Sequence, residues 1–297
     1  MTTKTFTALI HAYNEEVRLP PLVNSLQSVA HVIILAAWND TSADTFYENQ
    51  SVTLIKRPKE FEKWPVPEQS RWSLGQAPTD YVLLAHCSMT FSRELLEIFS
   101  HEAAVKKANA IKHYNRYWSH GSEVYATGPF SKSTGCYFFD RRYVELSLAT
   151  IHNEFPLKKD TIYRGLEASP RFSVNIFRDD SIETITQKHL RYAKREATEN
   201  HALLHCNSAF QLIRKLVQAF LTSYLRLGAV WRGMPGLIWT LNDVCYRYYV
   251  EAIAWENRNG FSDVGMRTHH QTIKRKINPE VTNERSHECA DSNNTNI

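Results

Sequence analysis

The chain has 297 residues, 43% hydrophobic and 22% charged, enough apolar material to bury one large core or two modest ones. Its 35 Lys and Arg against 31 Asp and Glu leave a net charge of +4, too balanced for a dedicated nucleic-acid binder, and a sequence pI near 8.7 does not resist an anionic partner. The five cysteines, Cys87, Cys136, Cys206, Cys245 and Cys289, are odd in number and form no CxxC pair, so neither a disulfide framework nor a zinc site is signalled and a reducing compartment is the simpler reading.

Met1-Thr2-Thr3-Lys4 leads into a strand-like run without the charged start, apolar stretch and cleavage site of a secretory signal. No later span approaches the roughly 20 uninterrupted apolar residues of a transmembrane helix. The expected location is cytoplasmic, with peripheral contact at the inner face of an anionic membrane left open. Short β-branched runs at 6–10, 32–35, 52–55 and 81–84 predict strands, with helix-like stretches between them. Leu19, Leu22, Val23 and Leu26 fall on one face of the first predicted helix, where Pro20 sits early enough to be tolerated. A second helix fits 94–107, with Leu95, Ile98 and Phe99 inward and Ser92 as N-cap. Strands alternating with helices imply an α/β fold, a mostly parallel sheet whose ligands bind at the carboxyl ends of the strands.

From 108 to 177 the pattern is less regular, and aromatic runs at 114–118 and 136–139 suit a mixed sheet. Residues 182–256 read as two long helices with one break at 227–235, where Gly228, Gly233 and Pro235 oppose a continuous helix. After about Asn278 the chain is polar and poor in apolar residues, the composition of a disordered tail. The organisation expected is a sheet domain over 1–180, a helical extension over 181–260 and a disordered tail over 278–297.

Two of the predicted strands run into residues that a nucleotide could use. The first continues as Ala12-Tyr13-Asn14-Glu15-Glu16 and the second as Asn39-Asp40-Thr41-Ser42-Ala43-Asp44, about 25 residues on, the spacing of one βαβ unit. A nucleotide takes an aromatic face for its base and a carboxylate or amide along the base edge or ribose. Tyr13 offers the first, and either Asn39 or Asp40 the second. Gln69-Ser70-Arg71 then precedes a helix and the strand Asp80-Tyr81-Val82-Leu83-Leu84. Further on stand Ile151-His152-Asn153-Glu154-Phe155-Pro156, Ser181-Ile182 with Lys188-His189-Leu190-Arg191-Tyr192-Ala193, the run 225–237, and Ala254-Trp255-Glu256. In this order the motifs resemble those of the family-2 glycosyltransferases of GT-A fold, nearest to the branch that builds lipopolysaccharide core sugars, over about residues 5–256.

The resemblance implies transfer of a sugar from a nucleotide-sugar donor to a glycan or lipid-linked saccharide, with inversion. It implies that Ala12, Tyr13, Glu15, Asn39 and Asp40 line the nucleotide pocket and that Arg71 and Ser88 face the diphosphate, where a guanidinium can grip two oxygens. Glu154 is the implied base for the acceptor hydroxyl, with Asp160 in reserve and His152 as an orienting neighbour. One departure is large. Where the family's central strand ends in Asp-x-Asp around Mg²⁺ or Mn²⁺, this chain has His86-Cys87-Ser88, and Ile176 stands where relatives carry a metal-binding His, with Asp179 near. Hard cations prefer oxygen ligands, so metal-independent catalysis is expected, with His86 helping to stabilise leaving-group charge. Two rivals are a GT-A-fold module that binds a nucleotide or glycan without turnover, and a nucleotidyltransferase. The latter expects a Gly-rich phosphate loop after the first strand, which His11-Ala12-Tyr13-Asn14 does not supply.

Overall fold

The structure, a computed structural model, describes residues 4–46, 51–123, 134–150, 153–167, 169–177, 181–199, 206, 208–261 and 263–277. Ten strands run in chain order: β1 (Phe6–Ala12), β2 (His31–Ala36), β3 (Val52–Lys56), β4 (Tyr81–His86), β5 (Met89–Phe91), β6 (Ala110–Ser119), β7 (Ser122–Glu123), β8 (Thr134–Asp140), β9 (Tyr163–Gly165) and β10 (Ser173–Phe177). Helices α1 (Leu19–Leu26), α2 (Val66–Gly75) and α3 (Arg93–Val105) alternate with the first strands, and α4 (Ile182–Glu199), α5 (Ala209–Leu221), α6 (Gly233–Asn259) and α7 (Asp263–Ile277) follow the last. The strands form one sheet of order β3-β2-β1-β4-β8-β6-β10-β5, with β7 and β9 paired to β6. β3, β2, β1 and β4 are mutually parallel, β8 runs against its neighbours β4 and β6, and β10 is parallel to β6. The α/β class and mostly parallel sheet expected from the sequence are therefore present.

β1, β2 and β4 are short and largely apolar because both of their faces are covered, whereas the edge strand β3 leaves Thr53 exposed. On one face Phe6, Ala8, Ile10, Val32, Ile34, Leu83 and Ala85 pack with α1 and α3, whose Leu19, Leu22, Val23, Leu26, Leu95, Leu96 and Phe99 are buried. Phe138 on β8 fills the centre, stacked on Phe99 at 4.5 Å and met edge-on by Phe6 at 5.4 Å. On the other face Leu9, Ile33, Leu35 and Val82 pack with Leu74 of α2, Phe139 and Phe155. Each such buried aliphatic or aromatic side chain stabilises the fold by roughly 1.5–3 kcal/mol relative to exposure. The expected N-cap is present, since Ser92 Oγ accepts from Leu95 N–H at 3.1 Å. Gln69, Ser70 and Arg71 lie inside α2 rather than ahead of it, because Pro67 starts that helix early.

The C-terminal region has more helices than its pattern suggests. α4 ends at Glu199 and α5 begins at Ala209 with Ser208 Oγ accepting from Gln211 N–H at 3.3 Å, so the segment expected as one helix is two. The predicted break at 227–235 is present. Gly228 (φ 76°) and Gly233 (φ 58°) occupy the left-handed region, and a side chain on Gly236 would stand 1.9 Å from the Ala229 carbonyl oxygen. Helix α7 was not anticipated, and the tail from 278 lies outside the described residues.

By internal contacts the chain divides into two units, Met1–Ile185 with Gln218–Asp243, and Thr186–Val217 with Val244–Ile297. The first holds the sheet, and in it Trp239 of α6 lies against Tyr117 of β6 at 6.2 Å. In the second, Lys215 pairs with the buried Glu251 at 2.7 Å, and Tyr246 packs on His189 and hydrogen-bonds Glu196. Among the described residues no helix is long and apolar enough to cross a membrane.

Candidate functional site

The parallel register brings the ends of β1, β2, β3 and β4 to one edge of the sheet. Ala12 pairs with Ala36 and His11 with His86, and the chain stays joined just beyond, where Ala37 N–H donates to Ala12 O (3.2 Å) and Arg57 N–H to Ala36 O (2.8 Å). The loops after β1 and β2 therefore begin side by side. Tyr13 is 48% exposed, and Asn14 takes φ 54°, a left-handed conformation that Asn tolerates better than most residues. Glu15 N–H donates to Ser42 Oγ at 3.1 Å, tying the two loops together, and its carboxylate grips Arg18 through two bonds of 2.8 and 3.1 Å. Trp38, 51% exposed, rises from the second loop with the Lys59 ammonium 5.2 Å from its ring centre.

Between Asn39 and Asp40 the structure makes a clear distinction: Asn39 is exposed, whereas Asp40 is 1% exposed. One Asp40 oxygen accepts from Ser42 N–H at 2.8 Å, closing an Asx turn, and the Asp40 carbonyl takes the Lys56 ammonium. Its other oxygen, Oδ2, is buried and has no partner among the described residues.

Arg57, immediately after β3, was not singled out from the sequence. It is 9% exposed, donating to Glu62 at 2.8 Å and to Ala12 O at 3.3 Å with its guanidinium over the Phe61 ring at 5.2 Å, and its Nε is buried without a partner. Burial lowers its pKa, against which Glu62, Asp40 and Glu154 favour the charged form. His11 packs on the same Phe61 and holds a third unpartnered atom, Nε2. Burial first, then the positive fields of Arg57 and His86, push its pKa down to about 3, so the ring is neutral at pH 7. The only legible signal for Arg57 was a basic pair, Lys56-Arg57, closing a β-branched run at the ligand-binding end of the sheet.

Glu154 lies on the loop before β9. Its backbone carbonyl accepts from Ser70 Oγ on α2 at 2.8 Å, its side chain is exposed, and its negative charge favours the charged form of Arg57. Asp160 is exposed, and His152 and Asp179 lie outside the described residues. Arg71 is exposed on α2, one residue beyond the buried Ser70, and makes no ion pair among the described residues.

His86, Cys87 and Ser88 close the tight connection between β4 and β5. His86 is exposed and meets Tyr137 edge-on at 6.5 Å, while Ser88 O accepts from Phe177 N–H at 2.7 Å. Cys87 is buried, its thiol donates to His11 O at 3.8 Å, and burial together with Glu15 raises its pKa to about 12. A protonated, buried thiol beside one imidazole and one hydroxyl does not match the oxygen-rich shell that Mg²⁺ or Mn²⁺ takes. Among the described residues no group of three or more His, Cys, Asp or Glu side chains could hold a metal ion.

A parallel β3-β2-β1-β4 half is joined through a reversed strand to a mixed half, an α/β architecture with polar groups gathered where the parallel strands end. No family model matches the chain, and no curated protein matches it in sequence. Among solved structures it is similar to S. aureus TarS 1-349, at 10% identity and a TM-score of 0.37 over 86% of this chain and 91% of that one. The same fragment in complex with UDP-GlcNAc gives 11% identity and a TM-score of 0.41 over 86% and 92%. Against a longer TarS chain the figures are 10% and 0.35, over 82% of this chain and 49% of that one. Likeness this loose leaves the case for function with this chain's own residues.

Proposed function

We propose that the protein is a glycosyltransferase that takes a sugar from a nucleotide-sugar donor and passes it, with inversion and without a divalent metal, to a saccharide or lipid-linked acceptor. The observation that carries this reading is the set of three buried polar atoms with no partner among the described residues, Asp40 Oδ2, Arg57 Nε and His11 Nε2, at or just beyond three adjacent strand ends that also carry the exposed rings of Tyr13 and Trp38. A buried acceptor or donor left unpaired costs about 1–3 kcal/mol, a cost that a ligand would offset. In this reading Tyr13 and Trp38 take the base between them, Asp40 accepts from the base or ribose, and Ala12 and Glu15 shape the loop. Arg57 supplies the fixed positive charge of the pocket. His86 and Ser88 face the diphosphate, with Arg71 the outer candidate for the same task.

The chemistry asks for charge stabilisation on the departing diphosphate and removal of a proton from the acceptor hydroxyl. The imidazole of His86 can donate to a phosphate oxygen, and Glu154, its loop pinned by Ser70, can accept the hydroxyl proton as that oxygen attacks the anomeric carbon from the face opposite the leaving group. Calorimetric titration with UDP-GlcNAc, UDP-glucose and GDP-mannose, paired with an assay of donor turnover in EDTA, tests both parts. At least one donor should bind, and turnover should survive the chelator. Tight donor binding with no turnover under any metal condition would favour the binding-module reading, and loss in EDTA with rescue by Mn²⁺ would overturn the metal-free one.

A peripheral membrane contact belongs to the same proposal. Leu221 at the end of α5 and, beyond it, Leu225, Trp231 and Met234 are exposed beside Arg226 and Arg232. Apolar side chains among arginines suit an anionic interface, where a lipid-linked acceptor would lie.

A further inference from the structure

Downstream of the donor edge, β6 and β10 end at the same side of the sheet as β4, because β6 is antiparallel to β8 and β8 to β4. Alternation along β10 sends Val174 and Ile176 into the core, so Asn175 and Phe177 stand on the opposite face. In register, Asn175 sits beside Arg116 and Phe177 beside Trp118. The two rings are nearly parallel, 6.0 Å apart with an interplanar angle of 19°.

The pair is held in place by polar groups rather than by a core. The Trp118 indole N–H donates to Asn175 Oδ1 at 3.0 Å, and the Arg116 guanidinium stands 5.4 Å from the Trp118 ring centre. Arg116 is itself fixed by two bonds to Glu123 of 3.1 and 2.9 Å. Phe177 nevertheless remains 43% exposed, and its backbone N–H is tied to Ser88, in the same turn as His86.

We propose that the exposed face of Phe177, backed by the Trp118 ring stacked on it, is the platform on which the acceptor saccharide stacks, with Arg116 and Asn175 at its rim to meet hydroxyl groups. A pyranose ring has one face of C–H bonds, which packs against the electron-rich face of an aromatic ring, and a periphery of hydroxyls that need polar partners. The exposed outer face of Phe177, backed by the stacked Trp118 ring and framed by a guanidinium, an amide and a carboxylate, meets both needs. A lipid chain would want continuous apolar surface, which Arg116 and Asn175 interrupt, and Thr90 on β5 extends the polar rim in register with Asn175. Naming the bound sugar as acceptor rests on the glycosyltransferase reading. The platform itself rests on these residues.

Saturation-transfer NMR on the full chain with methyl β-D-glucopyranoside, methyl β-D-galactopyranoside and the methyl glycoside of N-acetylglucosamine tests it directly. At least one glycoside should receive saturation on its ring C–H protons, and Phe177→Ala should weaken its binding by about tenfold while Phe177→Trp restores it. Affinity for UDP-GlcNAc should be unchanged in both variants. Wild-type glycoside signals in the Phe177→Ala protein, or no signal from any glycoside, would overturn the platform. If instead the Phe177-dependent glycoside signal is present and no nucleotide sugar binds the wild-type chain, the platform stands and the donor reading falls.

Discussion

Asp40 carries more of the proposal than any other side chain, because it is a buried carboxylate with one oxygen unpartnered among the described residues and the other already spent on its own turn. Asp40→Asn keeps the shape and the Asx turn but removes the charge. Loss of a hydrogen bond to a charged group costs roughly 1.5–3 kcal/mol, so donor affinity measured by calorimetry should fall about 10- to 100-fold with little change in melting temperature. His11 offers a separate test through pH. Its folded pKa near 3 lies below the usual 6.5, so the unfolded chain binds a proton across that window and the folded one does not. Stability therefore falls as pH drops from about 6.5 towards 3, by about 1.4 kcal/mol per pH unit for this one group. The buried His113, lowered to about 4, adds a similar slope over 6.5 to 4. Urea denaturation at pH 7 and pH 5 should show the pH dependence reduced in His11→Gln, since one of the two protons is then absent. An unchanged slope would mean His11 is not buried neutral.

At the scale of elements, the α5 to α6 junction depends on backbone that only glycine can supply. The chain turns at Gly228 and Gly233 and then runs so close to itself that Gly236 faces a backbone carbonyl. Backbone cannot yield as a flexible side chain can, and Gly236→Ala should lower stability by about 1–3 kcal/mol, read as a lower melting temperature. The same junction was legible in advance, because two glycines and a proline within nine residues of an otherwise helical run leave no helical alternative. The split between α4 and α5 was not, since nothing in 200–208 breaks a helix as strongly as glycine or proline and its start depends on a serine cap. Strands β1 to β4 were readable for the opposite reason. Their buried faces demand largely apolar, β-branched runs, and only the ends, extended by one or two residues to Ala12, His31 and Ala36, Lys56 and His86, differ from the expected limits.

For the whole molecule, charge and exposed apolar surface decide where the chain would work. With net charge of +4 and exposed Leu225, Trp231 and Met234 near Arg226, the protein should sediment with vesicles containing phosphatidylglycerol and much less with pure phosphatidylcholine. Trp231→Glu should weaken that association several-fold and leave donor binding intact. Equal partition onto both vesicle types would remove the electrostatic part of the proposal, and none on either would remove the membrane contact.

The sequence by itself determined the alternating strand and helix pattern, the first helix and its buried stripe, the Ser92 cap, and the polar turns after β1 and β2, because each is encoded by residues close together in the chain. It also exposed the absence of a carboxylate at His86-Cys87-Ser88, which is visible without coordinates. Only the tertiary structure separated Asp40 from Asn39, left Arg71 on an exposed face and buried Arg57 at the strand ends. It alone set Phe177 against Trp118. Those facts depend on strand register and on which face a side chain takes, and a shift of one residue in either exchanges buried for exposed. Local periodicity fixes the elements; pairing between strands 20 to 80 residues apart decides which of their side chains meet.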